Sequence, residues 1–257
     1  MNTAFGRSLV GFSATLSLSL AIALVVSGCA SPPASPAAPA ATSPAPASTS
    51  PAAAAPAPAS PAGATKLDVS VGTPPAEGWR WVVAEITTGV DEVKEASNPG
   101  HGFFWEFFVV KGSTEVSTAE GTKVASAGEG IMVPARQEHS HRYPPQSKVL
   151  AFDVRSANDN PDAFHRGTKL FLSDKLSLRS SSDHKLRVQE FSLSPGQRLS
   201  ETTIAEPNFF YVIEGTLTSG TTATETGKAG SLPLNVKLAL SNQGNTPLRF
   251  LLVDVRP

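Results

Sequence analysis

His101-Gly-Phe-Phe-Trp-Glu106-Phe-Phe-Val-Val-Lys-Gly112, followed by Gly128-Glu-Gly-Ile-Met-Val-Pro134-Ala-Arg-Gln-Glu-His139-Ser-His141, is the stretch around which the rest of the chain is arranged. Each half carries an apolar run rich in aromatic and β-branched residues, the composition of a buried strand. Three of the five histidines fall here, beside the carboxylate of Glu106. Imidazoles next to a carboxylate on strands are donors suited to a first-row metal ion. Side chains on a strand alternate between faces, so His139 and His141, two apart, face the same way in an extended segment. A regular strand groups Trp105 with Phe107 and Val109 and turns Glu106 away from His101. A β-bulge between Glu106 and Gly112 reverses that orientation. Two donor sets therefore stand open: His101, Glu106 and His139, or His101, His139 and His141.

The spacing Gly128, five residues, Pro134, then Arg136 and His139 resembles the second motif of the cupins. Phe107 to Gly112 is similar to the end of the first cupin motif, in which His-x-His and Glu lead into an aromatic strand closed by Gly. This chain departs from that motif in three places. Pro99 stands at the first histidine, Glu106 leaves five residues rather than six before Gly112, and Trp105 takes the Glu position by count. The resemblance implies an all-β fold of double-stranded β-helix, or jelly-roll, barrels. In family members that hold a metal it also implies one transition metal ion (Fe, Mn, Ni, Cu or Zn), here with His101, Glu106, His139 and His141 as candidate ligands. The implied pocket is large and aromatic, with Trp105, Phe107, Met132 and Phe152 as candidate lining residues.

After Asn160-Pro161 the pattern starts again. Leu186 to Leu193 parallels Trp81 to Thr87, and Asn208 to Gly215 parallels Trp105 to Gly112. Gly227, five residues, Pro233 repeats Gly128 to Pro134, and Leu248 to Val255 parallels Lys148 to Val154. Two tandem cupin-like barrels are expected, at 66–158 and 159–257. Where the first copy has His139 the second has Leu238, so the second is expected to be a filled, structural or homodimerising copy.

The N-terminal part has a different character. Arg7 is the sole charge before Lys66, and Leu9 to Val26 is an apolar run ending in Val26-Ser27-Gly28-Cys29, which holds the one cysteine of the chain. The layout is that of a secretory signal over 1–28. Its last four residues resemble the bacterial lipoprotein signal, which implies acylation of Cys29. Each buried acyl methylene contributes about 0.8 kcal/mol, so two or three chains hold a protein on a bilayer without a spanning helix. The expected partner is thus a membrane, and the expected location the bacterial cell envelope, at the outer membrane in a Gram-negative cell. Residues 29–65 are almost wholly Ala, Pro, Ser and Thr. Such a segment has too little apolar surface to fold and spans on the order of 100 Å when extended, which makes it a linker.

A net charge of -1 with no basic patch excludes nucleic acid as an expected partner. Two functions remain: an envelope module that binds a small ligand or a partner through its N-terminal barrel, or a metal-dependent enzyme of oxygenase, decarboxylase or isomerase type built on that barrel. The fold itself does not choose between them.

Overall fold

The computed structural model describes residues 63–73, 78–98, 104–158, 167–176 and 183–257. Cys29 and His101 lie outside these residues. Every regular element among the described residues is a strand. In the first repeat and its approaches they are β1 (Ala64–Gly72), β2 (Trp79–Thr87), β3 (Lys94–Asn98), β4 (Phe104–Lys111), β5 (Ser113–Thr118), β6 (Gly121–Ser126), β7 (Gly130–Pro134), β8 (His139–Tyr143) and β9 (Lys148–Ser156). There follow β10 (Thr168–Leu172), β11 (His184–Leu193), β12 (Thr202–Thr203), β13 (Asn208–Glu214), β14 (Thr216–Ser219), β15 (Thr222–Glu225), β16 (Ala229–Gly230), β17 (Lys237–Leu238), β18 (Leu240–Ser241) and β19 (Leu248–Arg256). All of them lie in the compact unit Pro56–Pro257.

The duplication read from the sequence is the organising principle of the sheets. One five-stranded sheet runs β10-β2-β9-β4-β7 and the other β1-β11-β19-β13-β16. The orders correspond element by element, β2 with β11, β9 with β19, β4 with β13 and β7 with β16. The fold is all-β, with two cupin-like barrels. The glycines that close the aromatic strands have a common reason. Gly112 and Gly215 have φ of 75° and 80°, and a Cβ on them would come within 2.9 Å of the Ser147 Cα and 2.4 Å of the Pro247 carbonyl oxygen. A side chain is excluded twice, by the backbone angle and by the neighbouring chain.

By strand pairing the division differs from 66–158 and 159–257, because each repeat gives its leading strand to the other. β1 pairs antiparallel with β11 of the second repeat, and β10 pairs with β2 of the first. The first strand also starts before Lys66: Ala64 is already in β1, and Phe191 packs so closely on Gly63 that a Cβ there would lie 2.5 Å from its ring. Side chains fix β1 where it is. Leu67, Val69 and Val71 pack on the core between the sheets. Lys66 bridges Glu190 at 3.1 Å and Asp68 accepts from Arg256 at 2.5 Å.

Alternation along the strands distributes the apolar residues among three cores. Trp81, Val83, Phe104, Phe108, Phe152, Phe209, Tyr211 and Leu251 belong to one that joins the two sheets. Trp105, Phe107, Val109, Val149 and Ala151 fill the first barrel, and Phe210, Val212, Leu238, Leu240 and Phe250 the second. Leu238 is 8% exposed. Leu238→Ala is expected to lower stability by about 2 to 3 kcal/mol through the void it leaves. Chemical denaturation checks this, and a loss under about 1 kcal/mol would show that Leu238 is not packed.

Candidate functional site

The burial of β8 alternates, so His139, His141 and Tyr143 point into the first barrel while Ser140 and Arg142 point out. Pairing with β3 and β5 holds this row in place, with His141 opposite both Ala96 and Val116. Inside the barrel the rings form a continuous ladder. His139 and His141 lie 5.6 Å apart between centroids, and Tyr143 follows at 5.1 Å. Phe107 lies 5.9 Å from His139 and 5.1 Å from His141. Trp105 stacks on Phe107 at 5.9 Å and stands 6.2 Å from His139.

His139 is 5% exposed. Its Nδ1 lies 3.0 Å from the Gln137 carbonyl oxygen, which can only accept, so Nδ1 carries the proton and donates. The other nitrogen, Nε2, then presents a lone pair, and it is buried with no hydrogen-bond partner among the described residues. Burial lowers the pKa of this ring, opposed by the bond to Gln137. His139 is therefore a neutral imidazole whose acceptor atom has no partner among the described residues, set among the aromatic rings of the first barrel.

Two further residues adjoin that cluster. Asp153 pairs opposite Trp105 across β4 and β9 and is 0% exposed; Arg155 is 2% exposed. Arg155 Nε donates to Asp153 Oδ2 at 2.6 Å, and its guanidinium carbon lies 4.9 Å from the centre of the Trp105 ring. This buried ion pair under a tryptophan is absent from the sequence reading. A signal for it exists: Asp153-Val-Arg155 recurs as Asp254-Val-Arg256 at the same point of the second repeat.

Glu106 does not join the histidines. β4 is regular from Phe104 to Val109, and its one register irregularity comes later, between Val109 and Lys111. Glu106 thus shares its face with Phe104 and Phe108, opposite Met132 and Phe152 and between the two sheets. It cannot serve as a ligand beside His139. The same alternation corrects the pocket expectation: Trp105 and Phe107 line the first barrel, whereas Met132 and Phe152 lie on the Glu106 face. Because the strands here are buried on both sides, an aromatic residue is no guide to which side it takes.

No group of three or more His, Cys, Asp or Glu able to hold a metal forms among the described residues. They supply two of the expected donors, His139 and His141, and His101 lies outside them.

In the second barrel Leu238 and Leu240 are buried in the core. Asn208 pairs opposite Asp254 as Trp105 does opposite Asp153, and Phe209 takes the place of Glu106. The expectation of a filled barrel is only half met. Its depth is packed, but its mouth opens into a cleft of about 470 Å³. Asn208 replaces the tryptophan that covers the same place in the first barrel.

AerE from Microcystis aeruginosa is similar in structure at 11% identity, with a TM-score of 0.48 over 75% of this chain and 99% of that one. The oxalate decarboxylase of Lactobacillus farciminis in complex with formate gives 12% identity and a TM-score of 0.49 over 76% of this chain and 84% of that one. YhaK from Escherichia coli gives 15%, 0.47, 76% and 94% in the same order. No family model and no curated protein matches the chain. At these identities the likeness is one of fold and does not extend to reaction or ligand. What makes this chain cupin-like is its own pair of barrels, their strand order and the glycines that close their aromatic strands.

Proposed function

We propose that this protein is a lipid-anchored envelope protein that binds a small molecule in its N-terminal barrel. The observation that supports it is the Nε2 atom of His139, a buried acceptor with no partner among the described residues. Burying a polar atom unpaired is unfavourable by about 1 to 3 kcal/mol, so a site that keeps one is suited to a ligand that satisfies it. The complementary ligand places a hydroxyl or N–H on His139 and a flat apolar part against Trp105 and Phe107. Asp153 and Arg155 fix the Trp105 ring. Cys29 would carry the acyl anchor, and residues 30–62, which precede the Gly63 contact and β1, the reach from the membrane.

One observation favours a second reading, a metal-dependent enzyme on the same barrel. A histidine that donates Nδ1–H to a carbonyl and presents Nε2 is arranged as metal-ligating histidines are. With Glu106 on the far face this reading needs His101 beside His139 and His141; the binding reading asks for no further protein ligand and is preferred.

Both readings are separated by analysing the full chain purified in mild detergent, for bound metal and for extractable small molecules, beside His139→Ala. An organic compound near one per chain, lost in the variant, supports the binding module. A transition metal at that stoichiometry, lost in the variant, supports the enzyme, and neither would remove both. The anchor has its own test. Cys29→Ser is expected to abolish acylation and move the protein out of the membrane fraction. Wild-type protein free of lipid on its N-terminal peptide would overturn it.

A further inference from the structure

The mouth of the second barrel carries a different chemistry. Register places Arg187 opposite Asp254, Gln189 opposite Leu252 and Phe191 opposite Phe250, so these rows descend from the rim toward the packed floor. All three border the cleft of about 470 Å³, with Leu199 and Leu240 completing its apolar side. Arg187 donates from Nε to both Asp254 oxygens, at 3.2 and 3.0 Å, and from Nη2 to Oδ2 at 2.5 Å. Those bonds leave Nη1 without a hydrogen-bond partner among the described residues, on a side chain 30% exposed. The side-chain amide of Gln189, two residues along the same face of β11, makes no hydrogen bond among them either. In the first barrel the equivalent acid is served by Arg155 from its own strand and covered by Trp105. Here the arginine comes from the neighbouring strand, Asn208 leaves the mouth open, and Arg256 is taken up by Asp68.

We propose that this cleft is a second binding site, for an uncharged molecule with an apolar body and a carbonyl acceptor. The volume is in the range of small-molecule pockets, about 300 to 1,000 Å³. Charge selects the class. Asp254 already neutralises Arg187, and Glu206 also borders the cleft, so a ligand carboxylate would add a third negative charge beside one guanidinium. A neutral carbonyl instead accepts from Arg187 Nη1 and the Gln189 amide, while its hydrocarbon part lies on Phe191 and Leu252. The site is separate from the His139 cluster and does not depend on the function proposed for it.

The test uses the Pro56–Pro257 unit, which contains every described strand and all three cores, with hexanamide as probe and hexanoate as control, followed by protein-observed NMR. Saturable binding of hexanamide is expected, with shifts at the Gln189 side-chain amide and the Arg187 Nε–H, and hexanoate at least tenfold weaker. Ala205→Trp, an exposed residue on the rim, is expected to fill the cleft and weaken hexanamide at least tenfold. His139→Ala should leave it unchanged. Removing Arg187 alone would strand Asp254, so the pair is removed together as Arg187→Leu/Asp254→Leu, which should weaken hexanamide about tenfold. No saturable binding, binding indifferent to Ala205→Trp, or hexanoate binding as tightly as hexanamide would each overturn the proposal.

Discussion

Trp81→Ala is expected to lower the stability of the folded unit by about 3 to 5 kcal/mol, without splitting its unfolding into two transitions. Trp81 is 0% exposed and stands where the two repeats meet. Its ring lies edge-on to Phe104 at 6.2 Å and Phe152 at 6.3 Å in its own repeat, and to Phe209 of the other repeat at 5.0 Å. Removing it opens a void that neither sheet can close alone. Trp81→Phe separates ring from void. The indole N–H is buried with no hydrogen-bond partner among the described residues, so phenylalanine deletes an unsatisfied donor along with part of the packing. These oppose each other, and the net loss should be about 1 kcal/mol or less. Urea unfolding followed by circular dichroism decides. The exchanged strands β1 and β10 and the shared core tie the repeats into one cooperative unit, so two separate transitions in wild type would show that each barrel stands on its own.

What the sequence made legible was local and repeated. The aromatic run ending in glycine, its copy a hundred residues later and the Gly-to-Pro spacing each depend on a short segment, and each appears where expected, as β4 and β13 and the approaches to β7 and β16. Face assignment failed where alternation is invisible. β9 is buried from Val149 to Arg155 without interruption, so nothing in Phe152-Asp-Val-Arg155 tells that Asp153 and Arg155 enter the barrel and Phe152 does not. Strand exchange was equally out of reach. Which edge β1 joins depends on Glu190 and Arg256, more than 120 residues away.

Glu106→Met is expected to stabilise the protein by about 3 kcal/mol at pH 7 and by less in acid. Glu106 is 0% exposed, neither of its oxygens has a hydrogen-bond partner among the described residues, and it is packed among Phe108, Met132 and Phe152. Gly130 makes room for it: a Cβ there would lie 1.9 Å from the Glu106 Oε1. Burial alone pushes the carboxyl from its ordinary 4.5 up to about 8, so it is a neutral acid at pH 7. Between 4.5 and 8 the folded state binds a proton that the unfolded state has released. Stability therefore falls as pH rises through that window and levels off above it, by roughly 4 to 5 kcal/mol in all. Methionine keeps the volume and removes both the ionisation and the unpaired oxygens, as Phe209 does at the equivalent place of the second repeat. Glu106→Gln should flatten the pH dependence without the full gain, because it still buries an unpaired amide. Thermal unfolding of the three proteins at pH 5, 7 and 9 measures it. If wild type were no less stable at pH 9 than at pH 5 relative to Glu106→Gln, the carboxyl would have to be satisfied by a partner or reached by water.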